Sequence, residues 1–218
     1  MREFKIFFLI ILVMGSLKLS GQAIFLEKGE SGTNIGVGYF GIGTQSSVYG
    51  GIGYSPNGVL NFGVNIGKSS FDNIDDYGEF YILPYLEYYF IKEDSEIPIS
   101  VGAGIGYQRT TDTGGLFDDL GIDLTANSFS GSVIIVKNVN AVEKIRLLPF
   151  LEAQYGSSKA TLSDGVDKET FTDDSFIVSL GVIGAIKVQN NYFNIAPKIV
   201  FNKSNTGFSI FLSYNINK

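Results

Sequence analysis

Alternation with a period of two constrains this chain more than any other feature, and Val59–Lys68, VLNFGVNIGK, shows it most clearly. Leu60, Phe62, Val64 and Ile66 are large and apolar, and Asn61, Gly63, Asn65 and Gly67 between them are small or polar. Successive side chains of a β-strand point to opposite faces, so the stretch presents one apolar face and one narrow, polar face. A core strand of a soluble sandwich hides its apolar face under a second sheet. A membrane-spanning strand turns that face to lipid and its small residues inward.

The same pattern recurs. Ten segments bounded by turn-rich sequence fit strands: Asn34–Ile42, Ser47–Tyr54, Val59–Lys68, Glu79–Phe90, Ile99–Arg109, Ser128–Val136, Arg146–Gly156, Ser175–Val188, Tyr192–Asn202 and Gly207–Asn217. Most have the 9–11 residues or so that a tilted strand needs to cross a bilayer. Ser47–Tyr54 and Ser128–Val136 alternate least clearly, which leaves eight strands as the alternative count. Leu83-Pro84-Tyr85-Leu86-Glu87 matches Leu148-Pro149-Phe150-Leu151-Glu152, with both prolines on the apolar face and both glutamates on the other. Glycine, at 27 of 218 residues, is well above the usual ~7%. With 12 Tyr, 18 Phe and no Trp, this composition points to an all-β fold.

The connections are sorted by length. Ser69–Gly78, Thr110–Asn127 and Ser157–Asp174 are the long ones, and all follow odd-numbered segments. Ser55–Gly58, Ile91–Pro98, Lys137–Ile145 and Gln189–Asn191 follow even-numbered ones. In an up-and-down sheet the long connections therefore gather at one end. Gly43–Ser46 and Lys203–Thr206 are short exceptions.

The N-terminus sets the compartment. Arg2 and Lys5 precede the apolar run Ile6–Val13, and Gly21-Gln22-Ala23 offers a small-residue cleavage site. This is the layout of a secretory signal peptide over residues 1–23, leaving 24–218 as the mature domain. Lys18 limits the apolar stretch to a length below the ~20 residues of a spanning helix.

Signal peptide, alternating segments, sorted loops and aromatic-rich last strand together resemble the small outer-membrane β-barrel proteins of Gram-negative bacteria. The resemblance implies a porin-like antiparallel, up-and-down transmembrane barrel of about ten strands, spanning essentially the whole mature chain. It implies an outer-membrane location and contact with outer-membrane lipid and lipopolysaccharide. It also implies insertion by the barrel-assembly machinery. The family's last strand usually ends on an aromatic residue; here Tyr214 is followed by Asn215-Ile216-Asn217-Lys218.

Chemistry is constrained by what is missing. The chain has no histidine and no cysteine, which removes Ser–His and Cys–His nucleophiles and the commonest metal ligand. Barrel enzymes of the resembling architecture generally depend on a histidine, so no enzymatic activity is expected. No cofactor or bound metal is expected either. Acids cluster in the long connections: Asp72, Asp75, Asp76 and Glu79; Asp112, Asp118, Asp119 and Asp123; Asp164, Asp167, Glu169, Asp173 and Asp174. They read as a solvated cell-surface face, and none matches the spacing of a calcium-binding loop. The formal net charge of −6 argues against nucleic acid as a partner.

Parity assigns the remaining roles. Glu87, Glu152, Lys187 and Lys198 fall on the lumen side, as bracing charges or as the lining of a pore. Leu60, Phe62, Val64, Ile66, Val101, Ile105, Leu180, Val182 and Leu212 fall on the lipid side. Leu116, Phe117, Leu120, Ile122 and Leu124 make the second long connection apolar enough to dock an external protein or ligand. The functional expectation is a structural or surface-interaction barrel with acidic external loops. The alternatives are a narrow-pore transport protein and a periplasmic lipocalin-like binding barrel.

Overall fold

The computed structural model describes residues 26, 28–72, 78–94, 96–112, 123–142, 144–163, 167–203 and 205–217. The signal-peptide expectation falls outside these residues, as do Leu116, Phe117, Leu120 and Ile122. Among the described residues no helix is long and apolar enough to cross a membrane, which says nothing of strands.

The chain forms β1 (Gly32–Ile42), β2 (Gln45–Ser55), β3 (Leu60–Phe71), β4 (Gly78–Ile91), β5 (Ser100–Asp112), β6 (Asp123–Val136), β7 (Val139–Val142), β8 (Ile145–Ser163), β9 (Lys168–Val188), β10 (Asn191–Asn202) and β11 (Thr206–Asn217). From β1 to β6 and from β8 to β11 each strand pairs antiparallel with the next, β6 pairs with β8, and the four-residue β7 pairs with β8 alone. The first and last strands then pair with each other, from Gly32↔Asn217 to Ile42↔Gly207. The result is a closed, ten-stranded, up-and-down barrel. Short β7, inside the expected Lys137–Ile145 turn, is the one element without a counterpart among the ten expected segments.

The strands outrun the expected segments. β5 continues to Asp112 and β6 begins at Asp123, so the second long connection is shorter than Thr110–Asn127. β8 and β9 reach 19 and 21 residues and take up most of Ser157–Asp174. Above Ile177, β9 pairs with β8 alone, because β10 ends at Asn202 opposite Ile177. One wall of the barrel, formed by β6, β8 and β9, therefore continues its ladders past the others.

The turn at Ser55-Pro56-Asn57-Gly58 forms as its residues dictate. Gly58 takes φ 68°, a left-handed conformation that costs glycine little. Asn57 Oδ1 accepts from the Leu60 N–H at 3.0 Å, and Ser55 Oγ donates to the Leu60 carbonyl at 2.6 Å. The segment before β1 is tied to this turn: the Gly29 N–H donates to Asn57 O at 2.9 Å, and Ser31 Oγ to Pro56 O at 2.5 Å.

The abundance of glycine has a packing reason. Inward glycines lie directly across the ladder from inward aromatic rings: Gly38 opposite Tyr49, Gly67 opposite Tyr81, Gly102 opposite Tyr89, Gly181 opposite Phe150. A β-carbon on Gly102 sits 2.9 Å from the Tyr89 ring, and one on Gly181 2.6 Å from Phe150. The lumen of so small a barrel is just wide enough to fill with side chains, so a ring from one strand takes the space its neighbour leaves empty.

Gly63, opposite Tyr85, is hemmed in by backbone as well as by a ring. A β-carbon there meets the Ile52 carbonyl oxygen, Tyr85 Oη at 2.6 Å and Gly53 Cα at 2.8 Å. Gly63→Val is expected to destabilise the barrel by about 1–3 kcal/mol through overpacking. Gly50→Ala, whose added carbon meets only Gly36 O at 3.7 Å, is expected to stay near wild type. Denaturant unfolding in detergent micelles compares the two.

Candidate functional site

Inside the barrel, buried side chains gather in two apolar clusters. One apolar cluster (Tyr89, Ile134, Val136, Leu148, Phe150, Ile183, Ala185 and Tyr192) lies toward the end with the short turns. A second (Phe40, Ile42, Tyr49, Tyr81, Leu83, Ile177, Val200 and Phe211) lies toward the end with the long connections. Ala196 of β10 packs against both.

Polar groups share the lumen with these clusters, and several pair with one another, while others such as Asn65 Nδ2 and Gln45 Oε1 have no hydrogen-bond partner among the described residues. Lys198 Nζ lies 3.4 Å from Glu152 Oε2, both side chains buried. Asn61 Nδ2 donates to Glu87 Oε2 at 3.1 Å, Asn34 Nδ2 to Asn215 Oδ1 at 2.5 Å, and Asn194 Nδ2 to Ser213 Oγ at 3.2 Å. Ser47 and Ser69 hydroxyls meet at 2.8 Å, and Ser128 and Ser158 at 2.7 Å. Desolvation of a lone charge is expensive, and these partners offset it.

Glu87, Glu152 and Lys198 are thus buried on the inward face. Lys187 is a correction: it shares their parity but sits at the end of β9, exposed beyond the enclosed lumen. Arg146, also at this end, lies over the Tyr192 ring at 5.2 Å, and Lys92 lies over Tyr89 at 5.2 Å. Below β4, the Ile97 and Glu96 N–H groups each donate to Asp94 Oδ1 at 2.8 Å, which holds that carboxyl below its ordinary value.

Leu124 is a second correction. It lies on β6, not in a connection, and its side chain is 7% exposed, so it is not a surface contact residue. Part of the acidic cluster is likewise on strands: Glu79 on β4, Asp112 on β5, Asp123 on β6, and Glu169, Asp173 and Asp174 on β9. Glu79 and Asp112 are register partners at the outermost step of the β4–β5 ladder. Among the described residues no group of acids is arranged to hold a metal ion.

The outward face is apolar. Phe62, Ile66, Ile105, Leu180, Val182 and Leu212 are exposed there, and Leu60, Val64 and Val101 are half-buried between their neighbours. Pro84 and Pro149 are exposed on the same face. Outward aromatics collect near both ends. Tyr54 pairs with Phe62 and Phe193 with Tyr214 toward the short turns; Tyr107 pairs with Phe129 and Tyr155 with Phe176 toward the long connections. Between them the face is mostly Ile, Leu and Val, with Ala, Gly and Pro among them. A soluble barrel has no use for such a belt, and hydrophobic exposure on this scale marks contact with an apolar medium.

This is the fold of the outer-membrane β-barrels. The chain aligns over 98% of its length with 95% of the translocator domain of the autotransporter NalP from Neisseria meningitidis, at TM-score 0.50 and 9% identity. It also aligns with a major outer membrane protein from Thermus thermophilus (TM-score 0.44, 10% identity, 86% of this chain and 99% of that one). A further alignment is with the N-terminal β-barrel domain of Pseudomonas aeruginosa OprF (TM-score 0.38, 11% identity, 87% and 100%). No protein-family model and no curated protein sequence matches the chain. Similarity at this level carries the architecture and not an activity.

Breaking the buried ion pair tests the packing of the lumen. Lys198→Met leaves Glu152 without its cation and is expected to cost about 3–5 kcal/mol. The double variant Glu152→Gln/Lys198→Met is expected to recover most of that loss. A double-mutant cycle of denaturant unfolding in micelles measures the coupling.

Proposed function

We propose that the protein is an integral outer-membrane barrel with a closed lumen, serving as a structural or surface-interaction protein. The observation that carries this reading is the inside-out placement of side chains: an apolar belt between aromatic pairs outside, buried polar groups and packed rings inside. An open strand edge is intolerable in hydrocarbon, and the β1–β11 ladder leaves none. On this reading the outward apolar residues, Leu60, Phe62, Val64, Ile66, Val101, Ile105, Leu180, Val182 and Leu212 among them, contact lipid. Short turns face the periplasm and the extended wall of β6, β8 and β9 faces outward, the usual orientation of such barrels. Asp173 and Asp174 then lie at the cell surface, and the assembly machinery of the outer membrane is the partner that inserts the chain.

Closure, rather than transport, is favoured by the two apolar clusters and by the width of a ten-stranded barrel, which lies near the size that side chains fill; open porins use 16–18 strands. The charged inward layer of Glu87, Glu152 and Lys198 is what favours the narrow-pore alternative. A lipocalin-like periplasmic barrel fits poorly, because its solvent face is polar. Absence of histidine and cysteine supports a non-enzymatic role.

Two measurements test this reading. Purified protein in planar bilayers is expected to give no steady conductance steps; regular steps overturn closure in favour of the pore. Val64→Arg, near the middle of β3, is expected to cost about 2–4 kcal/mol of stability in a bilayer. An unchanged stability places the outward face somewhere other than lipid.

A further inference from the structure

The outward face carries charge in one region. On the strands, the described outward-pointing charged side chains are Lys68 on β3, Arg109 on β5, Lys159 on β8, and Lys168 and Asp174 on β9. All lie toward the long-connection ends of these strands, and the outward faces of β1, β2, β10 and β11 carry none. The sign is opposite to that of the chain, whose net charge is −6. Asp174 is hydrogen-bonded by the Tyr155 hydroxyl. Among the described residues, neither Arg109 nor Lys159 has a carboxylate partner.

The register brings three donors into one row. Arg109 pairs with Asn127, and Asn127 pairs with Lys159 on its other side. Adjacent strands are about 4.8 Å apart, so the two cations flank Asn127 across about 10 Å, a gap that long side chains close. The Tyr107 hydroxyl donates to Asn127 Oδ1 at 2.6 Å, which leaves the Asn127 Nδ2 hydrogens as the donating part of that amide. Thr125 and Thr111, paired one step away, and Thr172, opposite Lys159, add hydroxyls on the same face. Just below lies the Tyr107–Phe129 pair, ring centroids 4.9 Å apart, with Phe129 68% exposed.

We propose that Arg109, Asn127 and Lys159 form a binding site for the phosphate groups of the outer-leaflet glycolipid. The inference rests on the outer-membrane reading and adds to it a specific lipid contact. Guanidinium, ammonium and amide donors in a row above an aromatic pair match an amphiphile whose acyl chains lie along the belt and whose phosphates sit at its upper edge. Charge-assisted hydrogen bonds to phosphate are the strong ones, and here they form at the border of a low-dielectric medium. Lys68, on the same face one pair above the Arg109 row, extends the positive edge.

The test uses the full chain in detergent micelles, titrated with diphosphorylated lipid A, with its dephosphorylated form, and with inorganic phosphate. Amide shifts of residues 107–111 report occupancy, and heat-modifiable electrophoretic migration confirms that each variant is folded. Saturable binding of the phosphorylated lipid is expected, with little response to the other two probes. Arg109→Ala/Lys159→Ala is expected to weaken it roughly tenfold or more. Arg109→Lys/Lys159→Arg retains it, and so does Lys187→Ala at the opposite end. Equal binding of the dephosphorylated lipid, equal saturation by inorganic phosphate, or an undiminished double variant overturns the proposal. A folded protein that fails any of these still leaves the barrel reading intact.

Discussion

Everything in this molecule depends on the ladder that joins β1 to β11. A sheet can turn an apolar face outward to hydrocarbon only when no backbone N–H or C=O is left at an edge, because each unpaired group costs several kcal/mol there. Gly32↔Asn217 through Ile42↔Gly207 closes that edge with the two ends of the described chain. Once closed, the barrel has a small, fixed interior, and the rest of the sequence follows from filling it. Rings and glycines face each other across the ladder because two rings cannot share the space. Many polar groups inside pair with one another, because an unpaired buried polar group is costly. The exterior is free to be as apolar as its surroundings allow.

The alternation that announces this architecture is legible in single strands. In Val59–Lys68 the apolar set lies on the outward face and Asn61 and Asn65 are buried, as the period of two requires. Parity alone also puts Glu87, Glu152 and Lys198 inward. Parity says nothing of height, however. Lys187 obeys it and still ends up exposed, because β9 runs past the enclosed part of the lumen at that point.

Cross-strand partners were hidden for a different reason. Gly102 faces Tyr89 and Asn61 reaches Glu87 only because of a register that no single strand specifies. The long connections are shorter than the sequence suggests because apolar alternation marks immersion, not pairing. Thr110–Asp112 and Ser157–Ser163 continue their ladders as polar strands, where neither face meets an apolar medium and the hydrophobic signal stops. The same blind spot hid the Arg109–Asn127–Lys159 row, whose members come from three strands. Extending the parity of each segment outward by a few residues is the signal that brings them to one face.

The central claim is that one face of each strand meets lipid while the other meets a filled lumen. Because the chain has no cysteine, each cysteine introduced is the sole thiol. The direct measurement is a scan of β3 in lipid vesicles, with Phe62→Cys, Val64→Cys, Ile66→Cys, Asn61→Cys and Asn65→Cys compared with the turn variant Asn57→Cys. A lipid-soluble maleimide should modify positions 62, 64 and 66 and spare 61 and 65. A membrane-impermeant maleimide should modify position 57 and leave 61 and 65 slow. Rapid modification of Asn65→Cys by the impermeant reagent, or loss of the alternation, contradicts the account.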